Sequence, residues 1–305
     1  MDSIDRAIIS SVFENCRISY EALARQVKLS PNAVKNRVHN LIEDGVLSQF
    51  LVVFNPKVIG AESFQAIVTT NGTESQRDFV NTIGSHPAIG HISTLATVKG
   101  GAYLVWGEFT SIDMLHEIRT YLRNLEEVVD LEIYVVLSEY KEPLEELGKL
   151  HLRVLRALRT NPLMQISEIS QQIGLSPKTV RRALREITDS QRVRFIARPD
   201  FAAGSLVNLH IRIEWDETLI TLEKLKKWIH SEFPLEFWSP WASATSSLMY
   251  AEFVVESLQE AECISNTIRE SEFVKSSTTL VAYSSGKFPY PSQTLLNELL
   301  DTEEE

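Results

Sequence analysis

Two short stretches of the chain carry side chains whose types and spacing suit one kind of chemistry. "LSPNAVKNRVHN" starts at Leu29 and "LSPKTVRRALRE" at Leu175, 146 residues later, and both read L-S-P-x-x-V. At helical spacing, Val34, Val38 and Leu41 form an apolar stripe, and Asn32, Lys35, Asn36 and His39 lie on the opposite face. In the second stretch Val180, Leu184 and Ile187 form the stripe, while Lys178, Arg181, Arg182 and Arg185 face away. An asparagine amide matches the donor–acceptor edge of adenine, and lysine suits guanine or a phosphate. Four cations on one helical face are expensive to bury, so that face is either solvated or set against an anion. Solvation is the ordinary reading of either helix alone. Its recurrence on the same helix of the same motif argues for double-stranded DNA. The Asn/Lys/His face is expected to read bases, and the arginine face to supply mainly salt-dependent affinity for phosphate.

The elements around these faces repeat as well. Helices are expected over 4–14, 19–27 and 31–43. Ser30 suits the N-cap because its hydroxyl can accept from free N–H groups of the first turn, and Pro31 suits the first helical position. Ser176 and Pro177 repeat the device. Gly45 ends the third helix, and "VLSQFLVVFNP" reads as an extended wing hairpin. Three short helices and a wing make a winged helix-turn-helix, whose recognition helix enters the major groove. A shift of 146 pairs Ile8 with Val154, Ile9 with Leu155, Val12 with Leu158, Leu23 with Ile169 and Val34 with Val180. The register is then expected to slip by about three residues, because "EDGVLSQFLVVFNP" answers to the shorter "TDSQRVRFIARP".

The second half of each unit alternates strand and helix patterns. They fall at 63–70, 74–85, 89–98, 102–109, 112–125 and 128–137, and again at 206–215, 219–232, 235–244, 248–255, 258–269 and 274–283. The order βαββαβ is the ferredoxin-like arrangement. The expected fold class is therefore α+β, with two winged helix-turn-helix domains (1–60 and 147–204) alternating with two ferredoxin-like domains (61–140 and 205–285). The linker "KEPLEELGKLH" has a helical pattern, and residues 286–305 form a tail with a short helix at 292–300 and an acidic end.

Charge follows the same period. The 305-residue chain has a net charge of −11. Residues 1–60 carry seven Lys+Arg against six Asp+Glu, and 61–146 carry five against fourteen. Residues 147–204 carry eleven against four, and 205–305 carry seven against seventeen. The basic surplus therefore sits on the helix-turn-helix segments. With 44% hydrophobic and 23% charged residues the composition is that of an ordinary globular protein. No apolar run approaches the ~18 residues of a membrane helix, and the acidic opening "MDSIDRAIISSVFENC" argues against a signal peptide. Cys16 and Cys263 are too few for a disulfide framework or metal cluster. A cytoplasmic location is expected.

Residues 4–47 resemble the DNA-binding domain of the Lrp/AsnC (feast/famine) transcriptional regulators. Asp5, Ile8, Ile9, Leu23, Ala24, Val27, Leu29, Ser30, Val34, Arg37, Val38, Leu41 and Gly45 stand where that pattern expects them. The ferredoxin-like halves resemble the family's RAM domain, which implies dimer or octamer assembly and an amino-acid-like effector. Here the arrangement occurs in tandem. The second copy departs more, with Ala183 in place of Arg37 and no clear partner for Gly45. In the family, the turn between the second and third RAM strands carries a Gly-x-Tyr-Asp-like stretch for an amino acid's charged groups. The matching "TVKGGAYLVW" keeps Gly100, Gly101 and Tyr103 as effector candidates but has no Asp, so a carboxylate would have to come from elsewhere. "ASATSSLMYAEF" in the second copy has neither glycine nor acid. The plain reading of both is a hairpin turn.

Two other classes compete with a regulator. Sirohaem decarboxylases share this architecture and look for a His followed closely by Tyr and Arg on the second RAM strand. "PAIGHISTL" offers His91 but no Tyr or Arg, and a lone strand histidine is usually structural. No Ser-His-Asp set, phosphate-cradling loop or metal-spaced cluster is evident, so no enzyme, metal or cofactor is expected. A protein-contact module that has lost DNA is disfavoured by the basic second head. Trp238 and Trp241 flank Pro240, which marks an edge strand or bulge, and Phe288 and Tyr290 are expected to latch onto a RAM sheet. The expected assembly is an intrachain pseudo-dimer whose two RAM sheets pack face to face. Whole chains are expected to pair further as homo-oligomers.

Overall fold

In a computed structural model the L-S-P phrases open two helices in the same way. The structure describes residues 1–97 and 100–302, with the backbone alone at 284 and 285. The Ser30 hydroxyl accepts from the Ala33 N–H (3.2 Å) and Ser176 from the Thr179 N–H (3.1 Å), with Pro31 and Pro177 inside the first turn. Each cap satisfies one of the donors that a helix start leaves free.

The chain gathers into two units. One contains Met1–Ala61, Glu139–Asp200 and Tyr290–Glu305; the other contains Glu62–Ser138 and Phe201–Pro289. In the first unit, α1 (Ser3–Glu14), α2 (Tyr20–Val27) and α3 (Pro31–Glu43) bury Ile8, Ile9, Leu23, Val34, Val38 and Leu41. These correspond at the 146-residue shift to Val154, Leu155, Ile169, Val180, Leu184 and Ile187 of α6 (Lys149–Leu158), α7 (Ile166–Ile173) and α8 (Pro177–Asp189), all buried too. The helical pattern of the linker materialises only from Lys149.

The expected wing hairpin is not formed. β1 (Leu47–Phe54) is one strand, and its partner is β6 (Val193–Pro199) of the second head, antiparallel from Leu47↔Pro199 to Phe54↔Val193. The span from Gly45 to Pro56 holds only one strand, so its N–H and C=O groups pair with the equivalent strand of the other copy. Asn55, buried, seals the junction by donating to the carbonyls of Lys141 (2.7 Å) and Gln191 (2.8 Å). Arg17 crosses from the first head to the carbonyls of Pro162 and Met164. The expected three-residue slip is also absent at this strand: Leu47 and Val193 keep the 146 shift, and the later β2 and β7 differ from it by one residue. Gly45 does have a counterpart, because Gln191 takes the same left-handed conformation (φ 57° against 76°).

In the second unit, β2 (Glu62–Thr70), α4 (Gln76–Gly84), β3 (Ile89–Leu95), β4 (Ala102–Phe109), α5 (Ile112–Arg123) and β5 (Val128–Val136) make the first βαββαβ set. Val98, within the third expected element, lies outside the described residues. The second set is β7 (Val207–Trp215), α9 (Leu222–Glu232), β8 (Phe237–Ala242), β9 (Leu248–Val255), α10 (Leu258–Arg269) and β10 (Val274–Lys287). The strands form one eight-stranded sheet in the order β5-β2-β4-β3-β10-β7-β9-β8. β10 is the seam. It pairs with β7 along its first part and runs past the expected end at 283 to pair with β3 up to Lys287↔His91. At the far edges Val136 bridges Ser243.

The helices cover one face of each half-sheet, over cores centred on Phe64, Ile83 and Ile118 and on Ile211, Ile229 and Phe253. The uncovered faces meet each other, as expected. Tyr134 and Tyr250 stack 5.3 Å apart, with Ile67, Leu248, Trp241 and Leu280 around them. β8 is an end strand with a register shift between Phe237 and Ser239, the edge and bulge that Pro240 demanded. Phe288 does pack on the first half-sheet's core, and its ring fills the space above Gly84. Tyr290 does not latch there. It lies in the first unit with its ring 3.6 Å from the Arg198 guanidinium, just ahead of α11 (Pro291–Thr302), which buries Leu296 and Leu300.

Candidate nucleic-acid interface and ligand cleft

On α3 the buried stripe holds the helix down, so Asn32, Lys35, Asn36 and His39 are exposed together. His39 reaches only Glu43, four residues on, at 3.3 Å. On α8 Lys178, Arg181, Arg182 and Arg185 are exposed together. Arg182 leans toward Glu186 at 3.7 Å, and the other three make no ion pair among the described residues. Each expected set is thus presented as one polar face.

Arg37 belongs to a different device. It pairs with Asp2 (2.8 Å) and Asp5 (2.7 Å), clamping α3 to the start of α1. Burial pushes the Asp2 carboxyl up, but hydrogen bonds from the Asp5 N–H and from Arg37 outweigh it and hold the group below its ordinary range. In the second head Ala183 takes that position and is buried. The clamp is rebuilt with its polarity reversed: His151, at the position of Asp5, bonds Glu186, at the position of Asn40 (3.0 Å). The other ring nitrogen of His151 accepts from the Gly148 N–H at 3.1 Å, so the neutral tautomer with its proton toward Glu186 suffices.

Part of the second head's basic surplus is taken up within its own unit. Arg192 pairs with Glu146, Arg194 lies over Tyr140 (4.8 Å), Arg198 lies over Tyr290, and Arg159 pairs with Asp301. The linker and tail therefore absorb cations that the segment charge assigned to a polyanion.

In the second unit, Gly100, Gly101 and Tyr103 line a cleft of about 440 Å³ with Gly72, Glu74, Gln76 and Tyr283. Gly100 is sterically required, and Gly101 leaves room for the Glu74 carboxylate. A Cβ on Gly100 (φ +68°) would lie 2.2 Å from the Thr70 carbonyl oxygen, and one on Gly101 would lie 2.1 Å from a Glu74 carboxylate oxygen. Glu74, which sequence reasoning did not single out, supplies the acid that the turn lacks. Its Oε1 accepts from Thr70 (2.5 Å) and Tyr103 (2.9 Å), while Oε2 is shut from solvent with no hydrogen-bond partner. Burial pushes the Glu74 carboxyl up, but the Thr70, backbone and Tyr103 hydrogen bonds outweigh it and leave the group below the usual glutamate range. Burial, reinforced by Glu74, drives the Tyr103 hydroxyl well above its ordinary pKa. The signal in the sequence was an acid in the turn after the first body strand, adjacent in space rather than in the motif. At the corresponding turn of the second copy Ser243, Thr245 and Ser246 hydrogen-bond one another.

The remaining candidates have structural settings. His91 bonds Ser93 (3.0 Å) on its own strand and faces Trp106 across the ladder, with no Tyr or Arg following it. Trp238 packs edge-on against Phe201, and Trp241 donates to Glu252 (3.3 Å). No group of three or more His, Cys, Asp or Glu suited to a metal ion occurs among the described residues, and none of their helices is long and apolar enough to cross a membrane.

Two helix-turn-helix heads joined through the β1–β6 ladder, and a separate unit of two fused βαββαβ sets, mark a tandem helix-turn-helix protein built from a repeated subunit. The AsnC-type helix-turn-helix domain model matches residues 1–42, and a winged helix-turn-helix DNA-binding model matches residues 147–193. An uncharacterized HTH-type transcriptional regulator of Pyrococcus horikoshii is 30% identical over 149 residues, covering 47% of this chain and 94% of the relative. The regulatory protein AsnC of Escherichia coli (strain K12) is 25% identical over 143 residues, covering 45% and 91%. The chain belongs to the Lrp/AsnC family of helix-turn-helix regulators. Each of these relatives spans about half of it, in keeping with a duplicated unit. Over its full length the fold resembles that of the siroheme decarboxylase NirDL, with a TM-score of 0.54 and 14% identity, covering 100% of both chains.

Proposed function

We propose that the chain is a sequence-specific DNA-binding transcriptional regulator that works as an intrachain pseudo-dimer. One observation carries this reading: the two recognition helices sit in heads joined by the β1–β6 ladder, yet present unlike faces, Asn32, Lys35, Asn36 and His39 on one and Lys178, Arg181, Arg182 and Arg185 on the other. Heads joined in this way suit half-sites about one helical turn (~34 Å) apart, and unlike faces suit an operator without inverted symmetry. Segments 1–60 and 147–204 act as heads, and 61–140 and 205–285 as the body that pairs further copies of the chain, inside the cytoplasm. The test is a titration of duplex DNA with the full chain in about 20 mM salt. Saturable binding reversed by added salt is expected. A chain that ignores duplexes of every composition in dilute buffer overturns the reading.

The cleft at Gly100 and Gly101 is the effector site of this regulator, and it takes a small amine-bearing molecule of the amino-acid class. Thr70 and Tyr103 hold the Glu74 carboxylate at the cleft wall, where its negative charge suits an ammonium group. Calorimetric titration with the twenty amino acids is expected to give heat with at least one, and that heat should vanish in Glu74→Gln. Silence with all twenty retires the amino-acid effector. The likeness to the siroheme decarboxylase is one of fold and does not carry its activity. Mixing the chain with sirohaem and recording the Soret band tests that alternative directly.

A further inference from the structure

The second head carries a charged cleft that neither recognition face uses. Arg153 and Arg156 on α6 and Arg159 at its C-cap recur every third residue and, with Ala157 and with Gln172 and Ile173 at the end of α7, line a cleft of about 360 Å³. No carboxylate stands among these lining residues. The corresponding positions of the first head are Ala7, Ser10 and Phe13, so the row is a property of the second copy alone.

The guanidinium groups are held in place. Arg153 donates to the Ile173 carbonyl (2.7 Å), Arg156 donates through Nε to the Leu300 carbonyl (2.7 Å), and Arg159 meets Asp301. These bonds use only part of their donor capacity, since each guanidinium offers five N–H groups. Nη2 of Arg156 is closed to solvent and has no hydrogen-bond partner among the described residues. A row that served only to anchor the end of α11 would need Arg156 and Arg159 but not Arg153, which touches α7.

We propose that this cleft is an oxyanion site that takes a phosphate group, contributed either by the DNA backbone or by a phosphorylated small molecule. Planar guanidinium forks match phosphate oxygens, and fixed arginines lose little freedom when they engage them. Asp301, already on Arg159, is the internal carboxylate that a phosphate would displace from the row's last member.

The experiment titrates the full chain with inorganic phosphate at ionic strength held constant with chloride, following the unfolding midpoint. The expected result is a saturable rise, equivalent at twenty times Kd to about a 20-fold shift toward the folded state. Arg153→Gln, an exposed position, should weaken phosphate at least tenfold with unchanged circular dichroism, whereas the exposed Lys224→Gln should not. Asp301→Asn should tighten it. A parallel duplex titration separates the sources. If Arg153→Gln lowers the salt slope by about 0.9, the phosphate is a DNA backbone group. An unchanged slope with phosphate binding intact in the wild type assigns the cleft to a small ligand. No phosphate effect beyond chloride, together with an unchanged slope in a folded Arg153→Gln, overturns the site. The phosphate arm needs no DNA, so its failure is distinct from failure of the regulator reading.

Discussion

Replacing Arg181, Arg182 and Arg185 together by Ala removes three of the four cations of the second recognition face, Lys178 remaining, and leaves its support in place. Val180, Ala183, Leu184 and Ile187 stay buried, and alanine favours a helix at least as well as arginine does. Each phosphate neutralised contributes about 0.9 to the slope of log affinity against log salt. Arg181 and Arg185 make no ion pair among the described residues, whereas Arg182 is partly engaged with Glu186 at 3.7 Å. Two to three contacts are therefore lost, and the slope should fall by roughly 1.8 to 2.7. Between about 50 and 200 mM salt the variant should lose roughly 10- to 40-fold less affinity than the parent. Fluorescence anisotropy of a labelled duplex of mixed sequence at four salt concentrations measures this. An unchanged slope in a folded variant would mean that α8 does not face DNA, and the reasoning from its exposed arginines would be wrong.

Other perturbations separate the first head, the turns and the body. Asn36→Ala should change which sequences are preferred by about 1–3 kcal/mol per affected base while leaving the salt slope intact, as read by competition between duplexes. Lys28 closes α2 in the left-handed conformation (φ 55°) where the second head has Gly174, so Lys28→Gly should stabilise by about 1 kcal/mol in chemical denaturation; a destabilisation would contradict the strain argument. His210 is buried opposite Glu252 on the adjacent strand with neither ring nitrogen hydrogen-bonded, and burial, partly countered by Glu252, depresses its pKa. A depressed histidine gives its full stability above its unfolded pKa and loses it as pH falls below about 6.5 toward the folded value, by up to about 1.4 kcal/mol per pH unit. Stability between pH 7.5 and 5.5 should accordingly fall, and His210→Leu should flatten that fall; an identical pH profile would remove His210 as its source.

Much of the fold was legible because local chemistry agreed with tertiary need. Ser30 and Ser176 cap the helices they were expected to cap, and β4, β9 and α10 fall where the hydrophobic pattern placed them. What failed to show were features set by partners distant in the chain. β1 looked like half a hairpin because a single sequence does not say which strand will satisfy its backbone, and the answer lay 146 residues away in β6. The end of β10, rich in serine and glycine, resembles a tail until β3 is there to pair with it. Glu74 escaped notice because it completes the Gly100–Gly101 turn through space. The rebuilt clamp, His151 to Glu186 for Asp5 to Arg37, was in principle readable from paired positions that change together between the copies. The charge of 147–204 overstated the interface, since covered and exposed arginines count alike in a sum.

Two unlike heads in one chain are expected to read two unlike half-sites. Selection of binding duplexes from a random pool by the full chain, followed by footprinting of the enriched sequence, measures this. A site of two dissimilar halves about one turn apart is expected, with the stronger base preference under the α3 face. Enrichment of a perfect inverted repeat would contradict it.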